Sequence, residues 1–284
     1  MINIITDSAA DFEPDELKRL NISCIPLRIS FGDKEYCENV NLSKDKFYHL
    51  LENAEEFPKT SQPSPSDLEN IFKSAQARGE ETVAIMLSSA LSGTYRSTAM
   101  IKNNLDYENC YVIDGLTATG GQRILVEYAV RLRDKGKTAQ EIAKAVSSLR
   151  SRVTLYACMD TLEYLHKGGR ISGTAYTLGT IGNIKPLLHI TKEGSVEIPK
   201  KTMGMKRGID YLCQRLNNEK PDNHFPFYVM YTKNRKNGEL LAAELKKHGY
   251  KISPNHIINV GAAIGSHIGP NACGIVYISE KSKE

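Results

Sequence analysis

Thr82-Val83-Ala84-Ile85-Met86-Leu87 runs without a charge into Ser88-Ser89-Ala90-Leu91-Ser92-Gly93-Thr94-Tyr95. After Thr82 the run is apolar, and Thr82, Val83 and Ile85 are β-branched, so it reads as a buried strand. The next eight hold four hydroxyl residues and a glycine, and they lead into a helix that reaches to about Asn103. A strand, a polar loop and a helix in that order make half of a βαβ unit. The free N–H groups of a helix start suit an anion, although plain N-capping explains the hydroxyls equally well.

The same rhythm extends to both sides. Ile2 to Ile5 is a strand that ends in Thr6-Asp7-Ser8, and Asp11 is placed to cap a helix over about 13–20. Ile22 to Phe31 reads as one strand, and Ser43 caps a helix over about 43–52. Lys59-Thr60-Ser61-Gln62-Pro63-Ser64-Pro65 reads as irregular, because two prolines fix φ and push their neighbours to extended geometry. Ser64 or Ser66 then caps a helix over about 67–78. Cys110 to Asp114 is a further strand, followed by a helix with Ile124, Leu125, Tyr128 and Leu132 on one face. Thr138-Ala-Gln-Glu141 is a capping box. Alternation of this kind predicts a doubly wound parallel sheet with ligands at the strand carboxyl ends. Three loops fall there: Thr6 to Asp11, Ser88 to Thr94 and Gly115 to Gly121.

Beyond about residue 155 the pattern changes. Gly168-Gly169 breaks the chain. Ile184 to Ile190 and Ser195 to Ile198 read as a hairpin turned at Glu193-Gly194. Helices over about 203–217 and 238–247 alternate with strands near 227–231, 257–260 and 274–279. The expected organisation is a doubly wound α/β module over 1–155 and a second α/β module with hairpins over 156–284, with an anion cleft between them.

Composition excludes several classes. The chain has 284 residues, with 37 basic and 33 acidic side chains for a net +4, which is too mild to argue for nucleic acid. The six cysteines (24, 37, 110, 158, 213, 273) show no Cys-x-x-Cys spacing, so buried thiols are expected and no metal. The start lacks the pattern of a secretory signal, and no run reaches the roughly eighteen apolar residues of a membrane span. A cytoplasmic protein without a cofactor is the expectation.

The familiar catalytic signatures are missing. There is no Gly-x-Ser-x-Gly, and Gly115-Leu-Thr-Ala-Thr-Gly120-Gly121-Gln122 lacks the Lys-Ser/Thr of a phosphate loop. His166-Lys167-Gly168-Gly169-Arg170 offers a cation for a carboxylate, and Gly265-Ser266-His267-Ile268-Gly269-Pro270 reads as a glycine-punctuated turn. The residues alone lead to two α/β modules with a hydroxyl- and glycine-rich anion cleft.

Six segments together resemble the bacterial DegV family. They are Thr6-Asp7-Ser8-Ala-Ala-Asp11, Lys59-Thr-Ser-Gln-Pro-Ser64, Ser88 to Tyr95, Asp160 to Ser172, Ile184-Lys-Pro-Leu-Leu188 and His267-Ile-Gly-Pro270. The resemblance implies a Rossmann-like domain joined to an α+β domain, with one long-chain fatty acid such as palmitate, stearate or oleate bound between them. It further implies a non-catalytic subunit that presents the acyl carboxylate to a separate ATP-dependent fatty acid kinase subunit, with transient membrane contact. By motif position, Thr60 and Ser92 would hold the carboxylate. Arg170 and His267 would lie close by, with Ser61, Gly93, Thr94, Ile268 and Gly269 shaping the pocket. Lys200, Lys201, Lys206 and Arg207 would form the docking strip. The chain departs from the family pattern at Gly115, His166, Pro199-Lys200-Lys201 and Asn271. Two other readings stay open: an esterase or acyl transferase with Ser92 as nucleophile and His267 as its base, and a lipid-sensing regulator.

Overall fold

The structure is a computed structural model that describes residues 1–173 and 183–280. Four strands form a parallel sheet: β1 (Ile2–Asp7), β2 (Ile22–Ile25), β6 (Glu81–Met86) and β7 (Cys110–Asp114), in the order β2-β1-β6-β7. Three short strands, β3 (Arg28–Phe31), β4 (Lys34–Cys37) and β5 (Lys59–Ser61), form an antiparallel sheet beside it. The remaining six are β8 (Val153–Cys158), β9 (Ile184–Ile190), β10 (Val196–Met203), β11 (Tyr228–Tyr231), β12 (Ile257–Asn259) and β13 (Cys273–Ile278). They make a mixed sheet in the order β10-β9-β8-β13-β11-β12. The fold is thus α/β, with an N-terminal parallel sheet and a C-terminal mixed α+β region. β8 runs across residue 155 and belongs wholly to the second sheet.

Helices α1 (Pro14–Leu20), α2 (Lys44–Asn53), α3 (Pro65–Ala77) and α4 (Thr94–Asn104) lie in the first half. Then come α5 (Thr119–Asp134), α6 (Ala139–Leu149), α7 (Glu163–Lys167), α8 (Gly204–Asn218), α9 (Arg235–Lys247) and α10 (Ala262–Ile268). Leu68, Phe72 and Ile101 of α3 and α4 bury one face of the parallel sheet against Ile5, Ala84 and Met86. Ile124, Leu125, Ile142 and Val146 of α5 and α6 fill the space between the other face and the second sheet, touching Ile4, Val83, Leu155 and Val276 in one cluster. Leu212, Leu216, Leu241 and Leu245 of α8 and α9 cover the far side of the second sheet. The order is helix, sheet, helix, sheet, helix, with the middle helical layer shared.

Four local expectations need correction. Ile22 to Phe31 is two strands in two sheets, because Pro26 cannot donate to a ladder and the chain turns there. Asp11 does not cap α1. Glu13 holds that position in a capping box with Glu16, while Asp11 is left-handed at φ 60° and buried. Lys59 to Ser61 is a strand, since Thr60 pairs with Ile29 before the prolines begin. His267 lies on a helix, not in a turn. Other local signals appear as read: Ser43 caps α2, Ser64 caps α3, and Thr138 with Glu141 forms the capping box of α6. Cys110, Cys158, Cys213 and Cys273 are buried, while Cys24 and Cys37 are partly exposed.

Candidate functional site

A cavity of about 340 Å³ opens where the two sheets meet. Leu87 and Leu91 come from the end of the parallel sheet, Leu188 and Met230 from the second sheet, and Ile264 from α10. Arg170 is the single fully charged side chain among the described residues that line it. Thr60, Gln62, Ser92, Arg170 and His267 supply a polar mouth, and the remaining lining is mostly aliphatic with Thr119, Tyr231 and Thr232 among it, as in a site for an amphiphile.

The polar end closes through a ring of contacts. Thr60 Oγ1 lies 2.8 Å from His267 Nε2 across 207 residues of chain. His267 packs on Gly168, where a Cβ would sit 2.1 Å from its Nδ1. Two residues on, Arg170 donates from Nε to the Leu91 carbonyl at 3.1 Å and from Nη1 to the Gly168 carbonyl. Ser92 follows Leu91, and Gly93 lies against the Gln62 carboxamide, where a Cβ would meet Oε1 at 2.5 Å. Gln62 is two residues from Thr60. Four segments of the sequence, around Thr60, Ser92, Arg170 and His267, thus converge on one opening.

Most of the expected site residues meet here. Thr60, Ser61, Ser92, Gly93, Arg170, His267 and Ile268 line the cavity. Thr94 and Gly269 do not. Thr94 is fully buried, with its hydroxyl 2.9 Å from Ser92 Oγ. Gly269, at φ 71°, backs onto the Tyr164 ring. Lys200 and Lys201 lie on β10, an edge strand, and Lys206 and Arg207 in the first turn of α8. Lys200 Nζ also sits 5.0 Å above the Tyr211 ring.

Electrostatics at the mouth favour an anion. Burial lowers the pKa of Arg170, and among the described residues no carboxylate offsets it. Arginine stays charged regardless, so a positive charge waits there half-buried. Burial, then Arg170, pushes His267 down to about 3. The imidazole is therefore neutral near pH 7. Its Nδ1 is buried with no hydrogen-bond partner. A hydrogen on Nε2 leaves a bare lone pair at Nδ1, which costs less than an orphaned N–H, and frees the Thr60 hydroxyl hydrogen for a ligand. His267 faces Thr60, while Ser92 Oγ is taken by Thr94 Oγ1 and by the Thr94 N–H at 3.3 Å. The nucleophile–base contact required of an esterase is not formed. Among the described residues there is no cluster that could hold a metal.

Sequence reading missed the supports of this site. Asp7 caps the turn after β1 by accepting from Ala9, Leu87 and Gln122. Gln122, at the phosphate-loop position, turns inward to Thr6 and Asp7. Gly194 turns the β9–β10 hairpin at φ 80°, close enough for Ser88 Oγ to donate to its carbonyl at 2.9 Å. The Asp11 and Glu38 carboxylates are buried too. Burial raises Asp7 and Asp11 to about 6, and burial with Asp11 nearby raises Glu38 to about 7. The sequence carries one local signal for these supports, Asp7 beside Ser8 in the loop after β1; no glycine or serine flanks Glu38.

Comparison with known proteins places this architecture. The family model described as "Uncharacterised protein, DegV family" matches residues 1–280. The chain belongs to the DegV family. A DegV domain-containing protein of Clostridium acetobutylicum is 30% identical over 286 residues, covering 98% of this chain and 99% of that one. Two solved DegV structures superpose along the whole length. One is a DegV family protein from Thermus thermophilus described by its fatty acid binding, at 26% identity and TM-score 0.87, covering 98% of this chain and 99% of that one. The other is DegV from Bacillus subtilis, described as a fatty acid binding protein, at 26% identity and TM-score 0.84 with the same coverage. Among the described residues, no helix is long and apolar enough to cross a membrane.

Proposed function

We propose that this DegV protein binds one long-chain fatty acid in the cavity and presents its carboxylate at the mouth formed by Thr60, Ser92, Arg170 and His267. The observation that carries the reading is a half-buried guanidinium without a carboxylate partner among the described residues, at the polar mouth of a mostly apolar cavity. An acyl carboxylate supplies the missing charge, and the chain replaces water along the leucines. At about 0.8 kcal/mol per methylene, a sixteen-carbon chain gains roughly 11 kcal/mol of gross burial, reduced by ordering and association costs. Affinity then comes from the tail, and the hydroxyls orient the head. The Thermus and Bacillus relatives support the same ligand class.

The finer role is a carrier without chemistry of its own, working in the cytoplasm. It offers the carboxylate to a separate ATP-dependent kinase subunit, which forms an acyl phosphate. The strip Lys200, Lys201, Lys206 and Arg207 is the docking surface. Cations in the first turn of α8 run against the helix dipole, so an acidic partner surface would relieve them. Native mass spectrometry of freshly purified protein, followed by organic extraction, tests the reading. One fatty acid per chain is expected. A lipid-free protein that takes up neither oleate nor palmitate overturns it.

A further inference from the structure

Helix α10 brings Ile264, His267 and Ile268 to the cavity wall, yet it has no cap of its own. Its first residues follow Gly261, which has no side chain to accept their N–H groups. Buried helix starts need such acceptors. Two carboxylates from the opposite end of the chain provide them. Asp11 Oδ1 accepts the Gly261 N–H at 2.8 Å, and Glu38 Oε1 accepts the Ala263 N–H at 3.2 Å. Both acids are almost fully buried, at 1% and 2% exposure.

The pair is itself held. Glu38 Oε2 accepts the Ser8 hydroxyl at 2.6 Å, and Ser8 Oγ accepts the Leu27 N–H at 3.0 Å. Lys44 Nζ donates to the Asp11 carbonyl at 3.0 Å. Tyr48 donates to the Val260 carbonyl at 2.9 Å, two residues before the first residue of the helix. Gly261 is what admits both acids: a Cβ there would sit 2.3 Å from Glu38 Oε1 and 2.9 Å from Asp11 Oδ1. A serine or aspartate at 261 would cap the helix locally, without burying two like charges side by side. Capping by itself therefore does not account for the arrangement. What the distant acids add is a fixed register between α10 and the loops after β1 and β4.

We infer that Asp11 and Glu38 are positioning residues for the head-group site: by clamping the start of α10 they set His267 against Thr60. His267 lies five residues beyond the first residue of that helix, so a shift at the start carries through to the imidazole. The inference rests on the fatty acid reading only for the ligand used in one of its two readouts.

Long-range ¹⁵N–¹H spectra of histidine-labelled protein, with the His267 signals assigned by their loss in His267→Asn, give the first readout. Oleate affinity by titration calorimetry gives the second. Glu38→Ala and Gly261→Ala should each shift the His267 ring signals in the unliganded protein and weaken oleate binding by about tenfold. Glu38→Gln, which keeps an acceptor for Ala263, should restore both toward wild type. Unchanged ring signals in Glu38→Ala and Gly261→Ala overturn the inference. So does a Glu38→Gln as disturbed as Glu38→Ala. If Glu38→Ala or Gly261→Ala does not fold, Asp11→Gly replaces it, since glycine suits the left-handed backbone at φ 60° and removes the acceptor for Gly261, and unchanged His267 signals there count against the clamp. If wild type itself ignores oleate, the fatty acid reading fails while the ring signals still decide on the clamp.

Discussion

The cavity mouth and the acid cluster behind α10 are built from the same kinds of groups and treat them in opposite ways. At the mouth, Arg170, Thr60 and Ser92 are half-exposed, and Arg170 faces the cavity without a carboxylate among the described residues. Behind the helix, Asp7, Asp11 and Glu38 are sealed from water and take backbone N–H groups from Leu87, Gly261 and Ala263. Polar groups whose partners are supplied by the fold serve position. A charge whose partner the described fold does not supply serves exchange with something from outside.

The largest effect expected from this contrast is on stability against pH. Asp7, Asp11 and Glu38 have folded pKa values raised to about 6, 6 and 7. The folded protein keeps protons that the unfolded chain releases above about pH 4. Their contribution is thus most favourable below that pH and is lost as pH rises through 6 and 7. Urea unfolding should show a fall on the order of a few kcal/mol between pH 5 and 7.5, with a shallower slope in Glu38→Gln. Lys44 and Arg123 attract the Asp11 carboxylate and oppose part of this rise. Oleate affinity should stay flat over the same window, because His267 and Arg170 do not titrate there. A flat stability curve, or an affinity that tracks pH, would erase the distinction between the two regions.

Arg170→Ala comes next. Removing a charged donor should weaken oleate binding roughly thirtyfold and leave thermal stability within about 1 kcal/mol. The reverse pattern, stability lost and affinity kept, would make Arg170 a structural strut to Leu91. Thr60→Ala and Ser92→Ala should each cost about five- to tenfold, as single neutral donors to a carboxylate. Titration calorimetry that finds both at wild-type affinity would remove the hydroxyls from the site. The smallest effect on binding belongs to the quadruple change of Lys200, Lys201, Lys206 and Arg207 to glutamate. Affinity should hold within about twofold, since these side chains lie outside the cavity, while acyl phosphate formation by a kinase subunit should fall. Equal phosphorylation of the bound lipid would rule out that surface.

Local chemistry made much of the fold legible. Ser43, Ser64 and the Thr138–Glu141 box mark helix starts by side-chain bonds that span three residues. The runs at Ile2, Thr82 and Cys110 announce strands by their own composition. What escaped depends on partners far along the chain. Pro26 splits one apolar run between two sheets, which alternation cannot foresee. Thr60 becomes a strand residue through Ile29, and His267 finds Thr60 from 207 residues away. Asp11 and Glu38 are buried against the start of α10 and Asp7 against Leu87 and Gln122, contacts with distant chain that no local pattern announces. Of the mouth, Ser88 to Thr94 reads equally as an anion loop and as a plain helix cap. Arg170 was legible as a cation beside a glycine pair, Thr60 and His267 were assigned to the carboxylate by family resemblance, and their meeting at one opening is a property of the packed chain.

The helical layer of α5 and α6 has one more consequence. Ile124, Leu125, Ile142 and Val146 serve as the interior of both sheets at once. Cutting the chain near residue 150 would leave the second sheet with one bare apolar face and the first with a helical layer bare on its outer side. The two halves should therefore melt in a single cooperative calorimetric transition, and neither should be recoverable as a soluble fragment.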